Sequence, residues 1–448
     1  MKRIAIALAL LAGLAWAAPA RAEIGTADAV PAATLLLPYF EVDLGNTNGA
    51  DTLISLNNAS ATAIVANVVL WTDWGTPSLG FNVYLTGYDV QTIDLRQIFN
   101  GVLPVTADDG ADPSDFFDPV SGISNQGLLS QDINFPGSTG PCGSSSTLYS
   151  APDPSLATKI TNMNRVHTGQ SSNLDGKCWG ATYGDQIARG YITIDSVTQC
   201  TLSTPADVGY FNGGVADTRN IMWGDVIYVN PSQNTAQGET LVHIEACQGP
   251  TYRRFGGGPE YACPVIAGDY TFYGRYTGFT ATDGREPLAT TFAARYQGAN
   301  KTDLLVWRDT KKTPAKITCG SSPSWFPLAD TDLVAFDTEE NPTEVCALAD
   351  GNSPAATSSC FPLATQRTNV RNGNTLAGKM KPPANAGWLF LNLNHTVSGD
   401  LLPGVAQAWV IATRTSGDGR LSNGTNAIQL DNALDPDVNI GGGGVLLP

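Results

Sequence analysis

The feature that most limits what this chain can fold into is the texture of its apolar segments. They are short, rich in β-branched and aromatic residues, and fenced by Gly, Asn and Pro. Residues 65–71 (VANVVLW) are apolar on both alternating faces, which suits a central strand covered on both sides. Residues 51–57 (DTLISLN) read as a second strand. Residues 81–86 (FNVYLT) set Phe81, Val83 and Leu85 against Asn82, Tyr84 and Thr86, one buried and one wet face. Strand signals recur at 191–195, 225–230, 241–246, 290–296, 303–307, 333–336, 387–393, 406–412 and 426–430. Almost no window sustains a helical period, and 94–99 (DLRQIF) reads as one helical turn. The pattern predicts an all-β protein built of antiparallel β-sandwich units, Ig-like or jelly-roll-like.

With 42% hydrophobic residues the chain of 448 can bury a core, so wholesale disorder is excluded. Its 47 Gly and 28 Pro supply the turns that many short strands need. A net charge of −16 makes nucleic acid and anionic membrane surfaces poor partners. The text divides into a leader at 1–22, an N-terminal sandwich part at 23–103 and a loop-rich, disulfide-containing insertion at 104–190. A middle β region follows at 191–284, then a C-terminal sandwich part at 285–436 and a flexible tail at 437–448.

The leader has Lys2 and Arg3, a short apolar run from Ile4 to Ala18, and Ala20-Arg21-Ala22 as a small-residue cleavage site. This is the layout of a secretory signal peptide, and it places the mature chain in the periplasm, at the cell surface or outside the cell. No later stretch is long and apolar enough for a transmembrane helix. The eight cysteines (142, 178, 200, 247, 263, 319, 346 and 360) all follow the leader. An even count in an exported chain favours disulfides, with the short-range pairs Cys247–Cys263 and Cys346–Cys360 geometrically easy.

Candidates for chemistry are scattered. Among the three His, none lies in a recognisable catalytic motif. On a strand His243 and Glu245 share a face, so they can act as an acid–base pair or bind a metal, and Asp225 beside Trp223 is the most site-like carboxylate. Asp108, Asp109, Asp112, Asp115 and Asp118 crowd one Gly- and Pro-containing loop, a composition that can wrap Ca²⁺. Asp431, Asp435 and Asp437 form a weaker second group. Trp74, in a W-T-D-W-G turn, and Trp223 are the candidates for stacking on a glycan ring.

A faint repeat is also present. Residues 85–94 lie on 328–337 as L-x-x-x-D-Φ-x-x-Φ-D, with Φ apolar, and Asp51-Thr-Leu-Ile resembles Thr302-Asp-Leu-Leu. It reads either as two related sandwich units or as chance likeness of strand text. The segments LLLPYFEVDL, TLISLNNASATA and VVLWTDWG, with TDLLVWRD, DLVAFDTEENP, GWLFLNLN and AQAWVIAT later, resemble a group of exported bacterial β proteins of uncharacterised function. That resemblance implies a secreted β protein and no particular activity. The expected function is a secreted or cell-surface structural, adhesive or ligand-binding β protein without catalysis. The alternatives are a secreted hydrolase of a polysaccharide or other polymer, and a homo-oligomer forming a surface layer or filament.

Overall fold

The computed structural model describes residues 30–104, 154–246, 271–277, 282–297, 302–312, 314–326, 328, 332–345, 360–370, 382, 385–394, 406–415, 422–426 and 428–430. They form an antiparallel all-β protein, as the alternation predicts.

The first half carries β1 (Thr34–Asp43), β2 (Asp51–Asn58), β3 (Ile64–Trp71), β4 (Pro77–Leu85), β5 (Val90–Asp94), β6 (Ile187–Val197), β7 (Met222–Asn230), β8 (Thr235–Thr240) and β9 (Val242–Ile244). They pair as a five-stranded sheet, β4-β3-β6-β1-β9, facing a four-stranded sheet, β5-β2-β7-β8. Leu35 and Leu37 of β1, Val68 and Leu70 of β3, and Ile54 and Val226 across from them fill the space between. The strands at 187–244 thus complete the sandwich begun at Thr34 and are not a separate middle region.

The second half carries β10 (Thr291–Gln297), β11 (Thr302–Arg308), β12 (Asp332–Phe336), β13 (Pro342–Glu344), β14 (Thr365–Asn369), β15 (Ala386–Asn392), β16 (Ala408–Thr415), β17 (Ser422–Asn426) and β18 (Ile428–Gln429). Its sheets are β13-β12-β15-β10-β18 and β14-β11-β16-β17. Adding nine to each strand number of the first unit reproduces both orders. The chain therefore builds one nine-strand sandwich twice.

Local chemistry repeats with the topology. Thr52 Oγ1 donates to Glu41 O at 3.0 Å and accepts from Glu41 N at 3.2 Å; Thr302 Oγ1 does the same with Gln297, at 3.2 and 3.1 Å. Gly190 of β6 faces Phe40 and the Trp71 carbonyl so closely that a Cβ would be driven into that oxygen. Gly387 of β15 faces Tyr296 and the Phe336 carbonyl in the same way. The reading of two related units thus holds as architecture, but not through the residues that suggested it. Thr52, not Asp51, corresponds to Thr302, and 85–94 (the end of β4 through β5) has its counterpart away from β12.

The units stack face to face. Trp71 and Tyr191, on the outer face of the first unit's five-stranded sheet, meet Trp307 and Trp409, on the outer face of the second unit's four-stranded sheet. This explains why β3 is apolar on both sides: Val68 and Leu70 enter the first core, Val69 and Trp71 the seam. The result is four sheet layers.

Helix is sparse. Asp94 caps α1 (Leu95–Phe99), accepting from Gln97 N at 3.2 Å. A 14-residue helix, α2 (Pro154–His167), lies inside the stretch read as irregular, and Ile160 and Met163 reach the first core from it. A single turn, α3 (Gly274–Thr277), lies between β9 and β10. No described helix is long and apolar enough to cross a membrane.

Cys178 and Cys319 form a disulfide with Cα atoms 5.0 Å apart, joining the two units across 141 residues of sequence. Cys200 and Cys360 are also disulfide-bonded, and no described cysteine is free. The other four cysteines, and with them the pair Cys247–Cys263 and the partner proposed for Cys360, lie outside the described residues.

Candidate functional site

The sequence candidates separate once placed. Trp74 is buried: the turn from Thr72 to Thr76, closed by Gly75 at φ +70°, folds its ring among Cys178, Ala181, Ala315 and Leu363 at the unit junction. It presents no ring face to a sugar. The five carboxylates at 108–118, and Asp431, Asp435 and Asp437, lie outside the described residues. Among the described residues no group of three or more His, Cys, Asp or Glu converges on a metal position.

Trp223, Asp225 and His243 do come together. The chain leaves β8, crosses beside Gly224 and enters β9, so His243 arrives under β7. Its Nε2 lies 3.3 Å from Gly224 N, and its ring meets that of Trp223 edge-on with centroids 4.9 Å apart. Burial lowers the His243 pKa, and the charge of Asp225 acts weakly against that. Glu245 follows β9 and is half-buried, with its carbonyl accepting from Glu286 N at 3.0 Å. The imidazole is thus enclosed by backbone and indole, not opened toward a substrate.

Trp223, Asp225 and Ile227 alternate with core residues on β7, so they mark the outer face of the four-stranded sheet. Register sets Asn57, Ser55 and Leu53 of β2 beside them, and Val90 and Thr92 of β5 beyond. This face is chemically mixed: Ile227 and Val90 are exposed, while Asp225 and Trp223 are half-buried.

Residues not singled out in the sequence form denser polar sites. Asp195 is fully buried on β6 and accepts from Thr34 Oγ1 at 2.5 Å, Tyr210 OH at 2.9 Å and Tyr273 OH at 3.0 Å. Arg285 lies 3.7 Å away and donates to Thr34 Oγ1 at 2.7 Å. Burial raises the Asp195 pKa and Arg285 pulls it back. At the junction Arg275 pairs with buried Asp309. The Asp195 node, with its three hydroxyl donors in place, fixes geometry, because each group would be costly to leave unpaired in the interior.

One pair imitates a nucleophile and its base. Ser78 Oγ lies 2.7 Å from His167 Nε2, and Nδ1 lies 2.7 Å from the Arg189 carbonyl. The imidazole is held neutral, its pKa pushed down to about 4 by burial, and its ring sits 5.5 Å from both Phe40 and Phe99. A value that far below neutrality makes the imidazole a weak general base. A cleft of about 50 Å³ opens between the units, lined by Tyr39, Glu41, Tyr228, Gln237 and Arg367. That is room for a few waters, against the ~300–1,000 Å³ of ordinary ligand pockets. Glu41 and Arg367 form an ion pair across it at 2.5 Å.

No protein-family profile, curated protein sequence or solved structure matches the chain.

Proposed function

We propose that this is an exported, non-catalytic structural or adhesive protein, a rigid two-unit block working outside the cytoplasm. The observation that carries the reading is the joint between the units. Four large aromatic rings, the Arg275–Asp309 and Glu41–Arg367 ion pairs, and the Cys178–Cys319 disulfide all span or border it. A joint that is apolar, paired and covalent at once holds shape under load, whereas domains that must open on a substrate are joined by smaller, more polar contacts. The leader at 1–22 and the even cysteine count support an oxidising destination.

The test is a panel of polysaccharides and other polymers presented to the mature chain, read for both binding and turnover. The expected result is no turnover. Hydrolysis that is lost in Asp225→Asn or Glu245→Gln would replace this reading with the hydrolase.

A further inference from the structure

The repeat leaves the molecule with two unused faces, and they are counterparts of the two that meet at its centre. Inside the chain, the five-stranded face of unit one packs on the four-stranded face of unit two. What remains outward is the four-stranded face of unit one and the five-stranded face of unit two. We propose that a second copy of this chain occupies each of them, repeating the internal joint so that molecules add head to tail.

Register identifies the matching positions. Trp71 pairs with Tyr191 in the first unit, and Phe336 pairs with Trp388 in the second, each beside the equivalent glycine. Val69 opposite Thr193 corresponds to Val334 opposite Phe390. In the first unit these positions are buried in the seam. In the second, Trp388 is 45% exposed, with Phe336, Val334 and Phe390 only half-covered. The face has therefore kept the aromatic character of a joint while nothing among the described residues covers it.

The complementary face is more polar. Trp223 corresponds to Trp409, but Asn57, Ser55 and Asp225 stand where unit two has Trp307, Leu305 and Ile411. Ile227 and Val90 restore part of the apolar area. Arg295 sits beside Trp388 on the one face, but exposed Asp332 shares that face with Val334 and Phe336, and the other face carries Asp225 and Asp94, so apolar contact and not charge complementarity has to drive the pairing. The interface is thus a weakened version of the internal one, and association is reversible and concentration-dependent. Because such a contact joins two different surfaces, it propagates instead of closing as a two-fold dimer.

This inference rests on the structural reading above, and the two fail separately, since turnover tests one and assembly the other. The experiment is sedimentation velocity on the mature chain over a rising concentration series, at low and high salt. Species growing beyond the dimer as concentration rises are expected, and they should persist at high salt. Trp388→Glu and Ile227→Glu, both at exposed positions, should each weaken association at least about tenfold with unchanged melting. Mixed together, the two variants should form a dimer and stop there, because each retains one intact face. A chain that stays monomeric throughout overturns the proposal. So does association that Ile227→Glu leaves intact, which would mean that two Trp388 faces meet each other.

Discussion

Asp73 and His167 are buried in the same unit and titrate in opposite senses. Burial pushes the Asp73 carboxyl from 3.8 up to about 7, against the pull of the Ala181 N–H that it accepts at 3.0 Å. It takes the His167 imidazole from 6.5 down to about 4. The folded chain binds the Asp73 proton more tightly than the unfolded chain, so acidification from about 7 toward 3.8 adds stability. For His167 the unfolded chain binds the proton first, so stability is lost as pH falls from 6.5 toward about 4. Each effect amounts to at most about 3–4 kcal/mol, so over their shared range they largely cancel. Relative to the native protein, Asp73→Asn should lose stability on acidification and His167→Gln should gain it, read from urea midpoints at several pH values. Parallel profiles for the two variants would refute this account. At this scale the sequence was least informative. It marked Trp74 as an exposed ring, but the Gly75 turn folds the indole inward, and nothing in W-T-D-W-G records that a second unit waits there.

Strands were the most legible elements, because a period of two appears directly in the residues. The two apolar faces of 65–71 predicted a doubly covered strand, which β3 is. The helix α2 was missed in text dominated by turn formers, although Pro154 at its start and Ile160, Met163 and His167 down one side are helical signals. Gly190 and Gly387 offer the sharpest test of the repeat among the elements. A methyl group at either position meets the carbonyl of the neighbouring strand. Gly190→Ala and Gly387→Ala should each cost about 1–3 kcal/mol or more, as overpacking does, with similar changes in denaturation midpoint. A neutral Gly387→Ala beside a damaging Gly190→Ala would mean that the two sites are not equivalent. The Cys178–Cys319 bridge was invisible in the cysteine spacing, since short loops look easiest and this one spans 141 residues. Replacing both cysteines with Ser should cost about 4–5 kcal/mol by loop-closure entropy, measurable by urea denaturation.

At the scale of the whole molecule, the joint makes one cooperative body of two sandwiches. A single calorimetric transition is expected for the native chain. Trp409→Ala, which hollows the seam, should cost about 3–5 kcal/mol and split that transition into two. One transition surviving the substitution would place the cooperativity elsewhere. The repeat itself was only half legible. Topology preserves which strands pair, while sequence preserves little more than apolar or polar character at each position, so Trp307 can stand where its counterpart is Asn57.

The seam also sets an order on biosynthesis. The segments bearing Trp71 and Tyr191 leave the ribosome well before those bearing Trp307 and Trp409. Until the later half arrives, the earlier one holds its rings toward water, a sticky surface for any other nascent chain nearby. A truncated product ending before β10 should therefore accumulate as aggregate, and chaperone cover matters most during that interval.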